Sequence, residues 1–365
     1  MIRKMMAWIV AVLLAHVSVA WSGMQDMDDE SLDGVTAQAS LFAVDYIPPG
    51  GGNPNSNIGF YRIALDAEMQ MNANIRSLQL GCGGVKGSGC DIDISNVRLT
   101  GATASSATDS GPLTDAILTR PFFEFAIRNP TVAATREMVG IRFGAEQAFG
   151  KMTMGENPNP SDNSDDFGIN SFSGDMNAVI NQASMTNICA RVLFCIMTTA
   201  TLDPYDYAAL HGGNPLIFNR SQNQTCGSTD YPTATNCMFM DGLVAHAALF
   251  GLTLDSRLTE NLKYVHDLAI TDTAGTGPVR GLYLSLQKEA LYWQKVDGIT
   301  NPFATVAAQQ GWWMSIPQVT IQNLVINDYI EVSGTGALFG QPAVIQNVDL
   351  GQLPADNCYG SLQFC

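Results

Sequence analysis

A mainly β fold is what this chain of 365 residues predicts: a long curved sheet or a sandwich of kinked strands, with a few short helices. Three observations carry the prediction. An eight-residue pattern of alternating apolar side chains, interrupted by Asn and resumed one residue out of phase, recurs along the chain. Longer runs with the two-residue period of a strand lie between the recurrences. Charged residues make up only 14 % of the chain and glycine numbers 34, a composition that suits sheets and turns better than long surface helices.

The interrupted pattern is clearest at Ile92-Asp93-Ile94-Ser95-Asn96-Val97-Arg98-Leu99. It returns at Val319–Ile326 around Asn323, at Ala343–Leu350 around Asn347, and with Ser77 in place of Asn at Ala73–Leu80. Side chains along a strand alternate between faces, so a one-residue slip turns the apolar set outward unless the backbone absorbs the extra residue. A bulge or tight corner does this. Asn suits such a point because its short side chain bonds the local backbone and it tolerates a left-handed φ. The pattern therefore predicts bent strands whose two halves keep their apolar residues on one core. An irregular β-solenoid is the alternative if these units stack, but their uneven spacing argues against a fixed repeat.

At the N-terminus, Arg3 and Lys4 precede the apolar run Met5–Ala15, and Ser18-Val19-Ala20 offers small residues for cleavage. Residues 1–20 read as a secretory signal peptide. Losing Arg3 and Lys4 with it takes the formal charge from −16 to −18. A chain this acidic repels nucleic acid and anionic headgroups. Eight cysteines follow the signal and fall into neighbouring couples: Cys82 with Cys90, Cys189 with Cys195, Cys226 with Cys237, and Cys358 with Cys365. An even count in an exported chain implies disulfides; eight cysteines allow about 105 connectivities, so local pairing rests on proximity alone. The absence of C-x-x-C pairs and the scarcity of His argue against structural zinc. The expected location is the cell surface, the exterior or a periplasm.

Residues 21–39 form an acidic, leader-like segment. Asp28 can cap a short helix with Asp29 and Glu30 in its first turn. Met24, Met27, Asp28, Asp29, Leu32, Val35, Thr36 and Gln38 fit the pattern Met-x-x-Leu-Asp-Asp-x-x-Leu-x-x-Val-Thr-Gly-Gln, with Met27 for the usual Leu and Ala37 for the usual Gly. In this the segment resembles the opening of a family of exported Gram-negative proteins, some of them named as pilus- or filament-system proteins of the Fil type. The resemblance spans about fifteen residues. It implies a surface or filament-associated role and brings no catalytic residues.

Residues 40–365 read as one β-rich domain with an irregular insertion around 203–236, a stretch rich in Gly, Asn, Pro and Tyr. Within the domain, Tyr61–Met71, Phe123–Ile127, Val139–Ala145 and Leu282–Leu286 alternate cleanly as strands. Cys82–Cys90 encloses a Gly-rich stretch that a strand follows, which reads as a disulfide-closed hairpin tip rather than a phosphate cradle. Residues 175–199 alternate less and fit either a helix or a buried strand. Asp162, Ser164 and Asp166 have the alternate spacing of calcium ligands, yet Phe167 occupies the place of the required Gly and no Glu closes the loop. Calcium is thus the one cofactor with any candidate ligands, and a solvated loop is the favoured reading. Trp293, Trp312 and Trp313 are the candidate lining of a ligand groove if exposed; core packing is favoured.

No nucleophile turn accompanies His211-Gly212-Gly213, and no spacing marks a triad or a carboxylate pair. The expectation is therefore not an enzyme but a secreted structural or adhesive surface protein, and more specifically a component of a pilus or filament system. Its partners would be other surface or filament proteins, or further copies of itself. Two other functions fit the sequence less closely. One is a periplasmic or outer-membrane binding protein for an apolar ligand or glycan; the other is a polysaccharide hydrolase.

Overall fold

The computed structural model describes residues 41–85, 87, 89–102, 114–155, 168–191, 195–202, 207–211, 217–218, 239–249, 252–261, 264–272, 276–295, 303–326, 330–333, 343–345 and 352; within these, the side chains of 177–186, 188, 190–261, 317, 324 and 326–345 lie outside the description. The chain divides into Met1–Leu41 and Phe42–Cys365, and every described strand belongs to the second unit. This unit is mainly β, and no helix occurs among the described residues.

The first seven strands are β1 (Phe42–Ile47), β2 (Ile58–Leu65), β3 (Glu68–Met71), β4 (Ala73–Leu80), β5 (Ile92–Thr100), β6 (Ala116–Arg128) and β7 (Glu137–Met154). The middle of the chain supplies β8 (Ile169–Arg191), β9 (Cys195–Leu202), β10 (Tyr207–His211), β11 (Ile217–Phe218), β12 (Phe239–Leu249) and β13 (Leu252–Asn261). The last five are β14 (Val265–Ile270), β15 (Val279–Gln287), β16 (Gly311–Ile326), β17 (Ile330–Ser333) and β18 (Ala343–Ile345).

Pairing is largely antiparallel. One run of neighbours is β1, β2, β6, β7, β15 and β16, each antiparallel to the next. The C-terminal end of β7 passes between β5 and β14, and β14 in turn pairs with β16. Parallel ladders join β8 to β16 and β17, and β13 to β18. Such a mixed, largely antiparallel pattern belongs to a sheet fold, not to the stacked parallel coils of a solenoid.

The helix considered for residues 175–199 does not form. β8 runs 23 residues and β9 follows it. β8 has partners on both edges: β16 and β17 on one, β9, β10 and β11 on the other. The helix expected near Asp28 lies outside the described residues. The 203–236 stretch contains β10 and β11.

The kinks sit where the pattern placed them. Asn96 and Asn323 have φ of 51° and 55°, in the left-handed region. On β5 the slip works as expected: Ile92 and Ile94 before Asn96, and Val97 and Leu99 after it, are all buried. On β16, Val319 and Ile321 before Asn323 are buried. β14 carries a further case that the pattern does not predict. Asp267 has φ of 51°, the register shifts between Val265 and Leu268, and both of those residues stay buried. β4 differs. Ser77 is not in the left-handed region, Ile75 is 38 % exposed, and β4 pairs with β5 alone among the described strands. Asn347 lies outside the described residues.

Candidate functional site

The run β1-β2-β6-β7-β15-β16 has two unlike faces. On the inner face, one cross-strand row reads Arg62, Glu124, Arg142, Ser285 and Trp313, each directly opposite the next. All five are buried. Glu124 Oε2 accepts from Arg62 Nε at 3.2 Å and from Arg142 Nε at 2.8 Å. Arg142 also donates to the carbonyl of Gln294 at 2.8 Å. Both guanidinium groups lie against the ring of Phe122, and that of Arg142 also faces Tyr283 and Trp293, with distances to the ring centroids of 4.8 to 5.1 Å. Burial pulls the Arg142 pKa down from its usual value, with Glu124 opposing the shift, and burial pushes Tyr283 up. These are the charges of a water-facing surface turned inward.

A segment between β15 and β16 covers this row. Leu291 pairs with Ala308 and Gln294 with Phe303 as isolated bridges. The segment delivers Leu291, Trp293, Phe303 and Ala308 to a core shared with Ile58, Phe60, Ala126, Val139, Tyr283 and Trp313. Gly140 makes room for it: a Cβ there would stand 2.6 Å from Leu291 Cδ1 and 3.1 Å from Trp293 Cζ2. Trp293 and Trp313 are therefore enclosed, while Trp312, next along β16, turns to the other face and is half-buried. The three indoles share no open groove.

The outer face is apolar. One row runs Val44, Ile63, Phe123, Phe143, Leu284, Met314, and the neighbouring row runs Tyr46, Tyr61, Phe125, Ile141, Leu286, Trp312. No charged side chain interrupts either. Val44 is 70 % exposed and Phe123 56 %; Tyr46, Ile63, Phe143 and Leu286 are exposed as well. Tyr46 stacks on Tyr61 with centroids 4.4 Å apart, and Phe123 leans on Phe143 at 6.4 Å. Ion pairs bracket the rows along β6. Arg120 meets Glu146 at 2.9 Å toward one end of the strand, and Arg128 meets Glu137 at 3.0 Å at the other, where Lys288 also reaches Glu137. An apolar centre with a charged rim is the anatomy of a contact surface. Monomers rarely keep contiguous apolar patches of this kind in water.

β1 forms the border of this face. It pairs only with β2 among the described residues, and Phe42, Val44 and Tyr46 are all exposed. An unpaired border strand offers a row of backbone donors and acceptors to another chain.

Of the cysteines, Cys82 and Cys90 form the disulfide that closes the loop between β4 and β5. Cys189 is also disulfide-bonded. Cys195 begins β9, but its side chain is outside the description, as are Cys226, Cys237, Cys358 and Cys365. Asp162, Ser164 and Asp166 likewise lie outside it. No group of three potential metal ligands occurs among the described residues. His266 is buried on β14, and its backbone N–H donates to Gln352 Oε1. Among the described residues, no helix is long and apolar enough to cross a membrane.

The apolar rows are visible in the sequence as alternating strands, but not as a contact face. The signal that could have revealed them is the single charged residue at the centre of each strand: Arg62, Glu124 and Arg142 form an Arg-Glu-Arg set that is satisfied only if the three meet inside. No protein-family profile, characterised protein or solved structure matches the chain.

Proposed function

We propose that the protein acts after export as a structural component of the cell surface, assembling with further copies of itself through the outer face of the β1-β2-β6-β7-β15-β16 run. The observation that carries this reading is the pair of uncharged apolar rows facing outward across six strands while β2, β6 and β7 bury Arg62, Glu124 and Arg142 on the opposite face. Turning Phe123 and Phe143 to water has a solvation cost that a contact recovers, at about 25 cal/mol per Å² of apolar area covered.

A second copy is the occupant that fits an uncharged, self-complementary patch. Two copies meeting face to face about a two-fold axis would cover both rows and shield β1 at their border, using one patch against itself. The Cys82–Cys90 disulfide supports an oxidising destination. The likeness of Met24–Gln38 to the opening of exported filament-system proteins points the same way.

Sedimentation velocity of the oxidised chain over a wide concentration range tests the proposal. Concentration-dependent association is expected, and F123E/F143E should remove it while leaving the circular dichroism of the sheet intact. A wild-type chain that remains monomeric throughout, or association that the double variant leaves unchanged, would overturn it.

A further inference from the structure

Lys151 on β7 and Asp267 on β14 form a contact unlike the rim ion pairs. Nζ stands 2.5 Å from Oδ1, and each side chain is 2 % exposed. The two strands are hydrogen-bonded neighbours, with Met152 opposite Leu268 and Lys151 opposite Ala269. Asp267 owes its position to the slip in β14, where its left-handed φ and the register shift take it out of simple alternation. From the next strand, Asn323 Nδ2 donates to the other carboxylate oxygen, Oδ2, at 2.8 Å. Asn323 also sits at a left-handed position. Two strand kinks thus converge on one carboxyl group, which is gripped by an amine on one oxygen and an amide N–H on the other.

We propose that this cluster forms a covalent cross-link, an amide between Lys151 Nζ and Asp267 Cγ. The ammonium first passes a proton to the carboxylate, giving a neutral amine and a carboxylic acid. Nζ then attacks Cγ. One amine proton moves to the departing hydroxyl, the Cγ–O bond breaks, and one water leaves; neither partner is oxidised or reduced. Oδ2 remains as the amide oxygen. The Asn323 N–H already addresses that atom, so it faces the negative charge that builds there in the tetrahedral intermediate. Asn323 is a positioning residue in this scheme.

Physical chemistry favours the step here and not at the rim. Holding an amine beside a carboxyl group speeds their reaction, by an effective concentration that reaches roughly 10⁵–10⁸ M when the two are well oriented, and side chains 2 % exposed leave little water to reverse it. Burial also bears a desolvation cost for each charge of the pair, and amide formation removes both charges. The product would tie β7 to β14 across all the intervening chain, including β8 to β13, and so would lock the region where β5, β7, β14 and β16 meet.

The test is the intact mass of the full, reduced chain, followed by peptide mapping. A deficit of about 18 Da, with a branched peptide joining the Lys151 and Asp267 segments, is expected. K151R keeps a buried cation but cannot form this amide, and it should show no deficit while keeping a folded β-type spectrum. Asn323→Gly removes the side chain at a φ that glycine accepts, and should slow appearance of the branched peptide in freshly made protein on the order of a hundredfold. A full-length mass with separate Lys151 and Asp267 peptides would overturn the proposal. A deficit of about 17 Da with Lys151 joined to Asn323 would overturn Asp267 as the acyl donor.

Discussion

Arg142 gives two hydrogen bonds to a single oxygen of Glu124, from Nε at 2.8 Å and from Nη2 at 2.5 Å, at a place where neither side chain reaches solvent. Arg62 shares that oxygen from the opposite strand, while Glu124 Oε1 and Arg62 Nη2 find no hydrogen-bond partner among the described residues. One carboxylate therefore balances two cations in the dry half of the sheet. The rest of the inner face is arranged around it: Phe122, Tyr283 and Trp293 supply ring faces to the guanidinium groups, and the strap carrying Leu291, Phe303 and Ala308 seals them in.

Removing only the anion should be costly. Glu124→Gln leaves two buried guanidinium groups without the carboxylate they share, and the expected loss is about 3–5 kcal/mol in urea unfolding. Replacing the whole set by apolar residues, as in R62M/E124L/R142M, should cost less than the single change, because no stranded charge remains. A triple variant markedly less stable than E124Q would show that the charges themselves hold the sheet together.

Asp175 gives the fold a pH dependence of definite sign. It accepts from Trp313 Nε1 at 3.2 Å, and burial raises its pKa above the ordinary carboxylate value, with the Ser315 and Trp313 hydrogen bonds opposing. A raised folded-state pKa means that the folded chain binds this proton more tightly than the unfolded chain. The contribution of Asp175 is then fully favourable below the unfolded pKa of about 3.9 and is lost as pH rises through the folded value. Asp175→Asn keeps an acceptor for the indole and removes the charge. Its melting temperature should exceed that of the wild type at neutral pH, and the advantage should shrink in acid. Equal pH profiles for the two proteins would contradict the assignment.

The left-handed residues allow a sharp comparison. Asn96→Gly should be nearly neutral, whereas Asn96→Val places a β-branched side chain at φ of 51° and should cost about 1–2 kcal/mol. Thermal unfolding of the pair reads the difference. Equal stabilities would mean that the bend in β5 does not depend on the left-handed residue.

Some of these features can be read in advance and others cannot. The slip at Asn96 is legible because it leaves a mark in the sequence: Ile92 and Ile94 in one phase, Val97 and Leu99 in the other. The slip at Asp267 leaves a fainter one, since His266 and Asp267 break the alternation of β14 without an Asn to flag it. The sidedness of β6 and β7 leaves only an indirect one, the mid-strand charges Glu124 and Arg142 that must meet on one side. Phe123 and Phe125 alternate with Phe122 and Glu124, and a two-residue period reads the same whichever face is covered. What decides the matter is the long-range return of Leu291 and Trp293 onto Gly140, a contact between distant parts of the chain that no local pattern encodes. The Lys151–Asp267–Asn323 cluster is of the same kind: three strands must come into register before its members meet.

The most direct test of the outer face as an assembly surface is hydrogen exchange of the β1 amides, residues 42–47, measured on the same protein at low and high concentration. Among the described residues β1 has one paired edge, so about half its amides should exchange quickly when the protein is dilute. The account predicts that these amides become protected as concentration rises, together with the segment carrying Phe123 and Phe125 on β6. Exchange in β1 and β6 that is identical at both concentrations would contradict it.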